Sequence, residues 1–179
     1  GTTSKLQQMK SNINSYEFEI TIDMLNQMTD LRVTDSKIED VLNAEKGSRV
    51  AGEVLYYLNI AWMNKSFKYE QDHLHPESRF DSGKPPTVSI EEWKNWRSMR
   101  NSLPNLHYLE GRSNGSKSNM SLVDYVNDMN QDQRNSFFEQ TMLPSEISLE
   151  FENFSKFYEK RKSILASKIR ELLGEPIQD

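Results

Sequence analysis

Cysteine is absent from the 179 residues. Disulfides and thiolate metal sites are therefore excluded, and any metal is left to oxygen and imidazole donors, a set that suits Mg²⁺ or Mn²⁺ better than structural zinc. Glycine is scarce: seven residues, too scattered to build a glycine-rich phosphate loop, so nothing in the chain reads as a nucleotide-binding motif. No apolar run approaches the roughly 18 residues that span a bilayer, and no membrane partner is expected. The opening Gly1-Thr2-Thr3-Ser4 is polar, lacks Met and has no signal-peptide core. A fragment of a longer, cytoplasmic protein is the expectation. General basicity is missing too. The net charge is −5, which argues against a protein that coats nucleic acid through charge alone.

What is present is helical patterning. Residues 1–15 are polar and read as a flexible N-terminal segment, and residues 16–179 as a single domain. Ile22, Leu25 and Met28 recur at helical spacing. Thr34-Asp35-Ser36 looks like an N-cap for a helix carrying Ile38, Val41 and Leu42 and ending near Gly47. Residues 50–63 read as a buried helix, with Val54, Leu55, Leu58, Ala61 and Trp62 forming its stripe. Ser89-Ile90-Glu91-Glu92 forms a capping box ahead of Trp93 and Trp96. Further helices are expected over about 121–129 and 132–142, and a long one over about 148–173 closes at Gly174 and Pro176. Two segments break the pattern: Phe67 to Asp72, with aromatics at alternate positions, and Leu106 to Glu110. Both read as short strands. The architecture is mainly α, with a small two-stranded insertion.

That insertion carries the chemistry-bearing residues: Asp72-His73-Leu74-His75-Pro76, then Asn105, then Asn114-Gly115-Ser116-Lys117. Phosphodiester hydrolysis needs an activated water, a charge clamp on the phosphate and help for the leaving oxygen. A neutral imidazole is a suitable base near pH 7. Mg²⁺ accepts one or two protein oxygens and completes its shell with water and substrate, and Asp72 and Asn114 can supply such oxygens. Neighbouring residues on a strand point to opposite faces, so Asp72 can hold a metal while His73 reaches the water. Residues 79–117 carry seven Lys and Arg against four Asp and Glu, a local excess of three cations in an acidic chain.

These elements resemble the ββα-metal core of HNH (His-Me finger) endonucleases. More narrowly, the stretch from about Leu55 to Leu173 is similar to the C-terminal HNH-like domain of GmrSD-type restriction proteins. The shared pieces are an apolar helix before the Asp-His-x-x-Pro, the Asn105-Leu106-x-x-Leu109 strand, the Asn/Lys-rich turn, Leu143-Pro144, and Phe154-x-x-Phe157-x-x-x-Arg161. The resemblance implies a helical domain with a small ββα-metal insertion, its core over about 66–129. It further implies a metal-dependent DNA endonuclease of a restriction or defence system, partnered by an NTP-using N-terminal domain.

His73 would then be the general base, and Asp72 and Asn114 would ligate one Mg²⁺ or Mn²⁺. Asn105 would orient His73 or pin the loop between the strands. Lys117, Arg112, Arg100 and Arg97 would contact phosphates. His75 is extra relative to the barest pattern, and either replaces or assists a ligand, stands behind the site or faces solvent.

Plainer readings compete. His73 could cap a strand or satisfy a buried carbonyl, and His107 fits a surface or packing role. The tryptophans suit packing better than base stacking, and Glu152, Glu159, Lys160, Arg161 and Lys162 suit a solvated face. The rival function is a non-catalytic nucleic-acid or protein interaction module on the same scaffold.

Overall fold

The computed structural model describes residues 33–64, 66–110 and 119–173. The helix expected near Ile22, the turn holding Arg112, Asn114 and Lys117, and the terminating Gly174 and Pro176 lie outside the described residues.

Local signals set most helix starts. Thr34 Oγ1 accepts the Lys37 N–H at 3.2 Å and opens α1 (Asp35–Leu42). Ser48 caps α2 (Arg49–Asn59) through the Ala51 N–H. Ser89 caps α4 (Ile90–Met99) through the Glu92 N–H, and Ser121 caps α5 (Leu122–Asn127). The reciprocal capping box forms at Asn130 and Gln133, which open α6 (Gln131–Thr141). A five-residue α3 (Glu77–Asp81) follows Pro76. The long final helix expected from 148 is a 3₁₀ turn (Phe151–Asn153) leading into α7 (Phe154–Leu173). Helix α2 stops at Asn59, so Ala61 and Trp62 fall past its end and are exposed, against the buried stripe expected over 50–63. None of the described helices is long and apolar enough to cross a membrane.

The two expected strands pair. β1 (Tyr69–His73) runs antiparallel to β2 (Leu106–Glu110), with Asp72 opposite His107 and His73 opposite Leu106. Side chains alternate between the faces of a sheet. Gln71 and Tyr108 therefore look toward α2, where Tyr108 donates to Gly52 O at 2.8 Å and Gln71 Oε1 accepts the Gly47 N–H at 2.7 Å. His107 faces the other way and meets Phe137 of α6 edge-on.

Two apolar clusters share α7. Its first turns bring Phe154, Phe157 and Tyr158 into an aromatic group with Phe80, Trp96 and Phe151. Its later turns bring Leu165 and Ile169 against Ile38, Leu42, Leu55, Leu103 and Leu106. Trp96 is fully buried and donates to Ser155, so this tryptophan of α4 is a packing residue.

Arg161 sits on the buried face between these clusters, only 1 % exposed, which corrects its expected place on a solvated face. Its guanidinium donates to the carbonyls of Thr141, Leu103, Pro104 and Leu106. Burial away from water lowers its pKa to about 9, so it keeps its proton at neutral pH.

Candidate active site

β1 ends at the Asp72-His73 pair, and the chain then turns through Leu74, His75 and Pro76 into α3. The 3₁₀ turn Leu103–Asn105 places Asn105 directly behind this turn. Asn105 is fully buried, and its amide holds the loop on three sides. Oδ1 accepts the His75 N–H at 3.0 Å, while Nδ2 donates to His75 O at 3.1 Å and to Arg100 O at 2.8 Å. Its own carbonyl accepts the Leu74 N–H at 2.8 Å. Of the two roles expected for Asn105, the side-chain geometry matches the pinning of the loop.

The residue that orients His73 is Asn101, which the sequence reading did not single out. His73 Nε2 lies 2.8 Å from Asn101 Oδ1, and His73 Nδ1 lies 3.4 Å from Lys46 Nζ. An amide oxygen can only accept and an ammonium can only donate. The tautomer follows: Nε2 carries the proton and Nδ1 keeps its lone pair. The ring is 4 % exposed. Burial first, and then the Lys46 charge, hold its pKa below the ordinary histidine value, against raising contributions from the Asn101 hydrogen bond and from Glu77 and Asp72. The neutral ring is the form that can take a proton.

Asp72 occupies the opposite face of β1. Its Oδ2 stands 3.7 Å from His107 Nε2, near enough for an ion pair when the imidazole is protonated, and its side chain is one-fifth exposed. His107 is thus a buried neighbour of Asp72 and not a surface histidine. The strand pattern of Leu106–Glu110 was in the chain, but the register that opposes Asp72 to His107 came only with the folded pairing. Beside His107 opens a cleft of about 740 Å³, bordered by Trp62, Tyr69, Tyr125 and Phe137 and by the carboxylates of Glu110 and Asp128.

His75, the residue without a fixed role, has its ring in the aromatic cluster. It meets Phe157 edge-on at 4.6 Å and Phe154 at 5.5 Å, with 1 % of its surface exposed. Arg100 is engaged by Glu77 and Asp81 at 3.4 Å each, so its charge is already answered within the protein. Arg97 is exposed on α4.

Asp72 offers a partly exposed carboxylate, and among the described residues no three His, Asp or Glu side chains converge on one point. A cation here would rest on one or two protein ligands, as Mg²⁺ tolerates. Compared with known proteins, the chain matches no family model and no curated relative, so the site stands on its own geometry.

Proposed function

We propose that this chain is a metal-dependent endonuclease domain that hydrolyses phosphodiester bonds of DNA by a one-metal HNH mechanism, within a restriction or defence system whose NTP-using part is a separate domain. Asp72 and Asn114 would hold the Mg²⁺ or Mn²⁺ ion. When bound, that ion would polarise the phosphoryl oxygen and offset charge on the reacting phosphate.

The observation that carries the proposal is the state and setting of His73. It is a neutral imidazole, held in one tautomer by Asn101 at Nε2 and Lys46 at Nδ1, at the end of a strand whose preceding residue carries a one-fifth exposed carboxylate. In the chemical step Nδ1 accepts a proton from the attacking water as the new P–O bond forms. The P–O bond to the leaving sugar oxygen breaks, and solvent protonates that oxygen. Asn101 and Asn105 work earlier, by holding the ring and the loop so that little reorganisation remains.

The acidic and aromatic cleft beside His107 favours the second reading, an interaction module on the same scaffold, because among the described residues its lining contains no Lys or Arg. Plasmid cleavage separates the two. With Mg²⁺ or Mn²⁺ the wild type nicks plasmid and EDTA stops it, while His73→Ala and Asn114→Ala lose activity by about 100-fold or more, the usual scale for a general base. Equal nicking by all three proteins would refute the assignment. Metal-independent binding of DNA with no cleavage would favour the module.

A further inference from the structure

We propose that Lys46 is the phosphate-gripping residue of this site; the inference rests on the nuclease reading and adds a residue to it that lies outside the Asp-His-x-x-Pro motif. Lys46 belongs to the loop between α1 and α2, and its Nζ lies 3.4 Å from His73 Nδ1. Among the described residues it makes no ion pair within 4.0 Å of a carboxylate, whereas Arg100 has two such partners. Its charge therefore faces a neutral ring, a weak partner for an ammonium, and is available to an anion that comes to that ring.

The loop is also built into the site. Lys46 N–H donates to Asn101 O at 2.7 Å, so the residue that holds His73 Nε2 through its side chain holds Lys46 through its backbone. Gly47 N–H donates to Gln71 Oε1, and Glu45 forms an isolated bridge with Ser102. These ties fix the start of a long, flexible side chain beside Nδ1 on both sides of the contact. An ammonium is a compact point charge that suits a phosphate oxygen. A phosphate arriving between Lys46 and His73 would draw the ammonium away from Nδ1 and leave that lone pair to the attacking water. In that step the water's proton passes to Nδ1, its oxygen bonds to phosphorus, the bond to the sugar oxygen breaks, and solvent protonates the leaving group.

Two measurements on the whole chain test this. The first is kcat/KM for plasmid or a short duplex in Mn²⁺. Lys46→Met should lose about 10- to 100-fold, the scale of one charge-assisted hydrogen bond, and Lys46→Arg should recover most of it. The second is affinity for a labelled 20-base-pair duplex in EDTA across a range of KCl. Removing one phosphate contact should flatten the slope of log affinity against log salt by about 0.9, whereas His73→Ala should leave that slope unchanged. A purely structural lysine would not move the salt slope. If the wild type cuts in a metal-dependent way but Lys46→Met matches it in both rate and slope, Lys46 has no such role and the nuclease reading stands. If the wild type neither binds nor cuts DNA, both fall together.

Discussion

Arg161→Met removes a buried charge whose acceptors stay behind. In the native protein the guanidinium reaches Thr141 O at 3.0 Å, Leu103 O at 3.2 Å, Pro104 O at 2.7 Å and Leu106 O at 2.8 Å. Leu103 O also accepts the Leu106 N–H, so it keeps a partner. The other three lose the donor that Arg161 supplied, at about 1–2 kcal/mol each when buried. Methionine fills much of the stem's volume and relieves the desolvation of the charge, which offsets part of that loss. The net expectation is about 3–5 kcal/mol, the range seen when one member of a buried charged network is removed.

For a domain of this size that corresponds to a drop in Tm of roughly 10 °C. The check is urea unfolding followed by tryptophan fluorescence and far-ultraviolet dichroism, with the midpoint falling and the slope unchanged. Arg161→Lys should fall in between, because one ammonium cannot reach donors spread over this arc. A loss below about 1 kcal/mol for Arg161→Met would show that the carbonyls find other partners, and would refute the reasoning. Leu103, Pro104 and Leu106 flank Asn105, so a confirmed loss would also tie α7 to the geometry of the candidate site.

Two further predictions concern the same region. Asn105→Asp keeps the acceptor for the His75 N–H but loses both donations, to His75 O and Arg100 O, and buries a charge. It should cost about 2–4 kcal/mol in chemical unfolding, whereas an unaltered midpoint would show that the amide does not hold the loop. Tyr158 donates to Ser102 Oγ at 2.7 Å, since Ser102 gives its own proton to Met99 O, and burial raises the pKa of Tyr158 above its ordinary value. A phenol with a folded-state pKa above the unfolded one contributes stability that is present below about pH 10 and lost as pH rises through the folded value. Alkaline unfolding curves should therefore fall less steeply for Tyr158→Phe than for wild type. Identical curves would place the alkaline loss elsewhere.

The sequence determined what depends on near neighbours. A side-chain oxygen three residues ahead of an unpaired N–H is a local matter, which is why Thr34 and Ser89 announced α1 and α4. The two short strands and their order were legible for the same reason, as was the mainly helical class. Even the stripe on α7 was complete: 154, 158, 161, 165 and 169 follow a helical period, and Arg161 falls on it. Its charge is what made it look solvated. Only the tertiary structure supplied the four carbonyls that make its burial tolerable, because they come from residues 20 to 58 positions away.

The candidate site divides in the same way. Asp72, His73 and Asn105 stood out through their spacing, yet the atoms that fix their chemistry come from elsewhere. Asn101 lies 28 residues from His73 and Lys46 lies 27, and neither belongs to a motif. His107 meets Asp72 because an antiparallel register puts them side by side. The sequence by itself singled out His73 and its loop. The folded chain decided which nitrogen carries the proton and which cation faces the other, since both depend on groups that only long-range packing brings within a few ångströms.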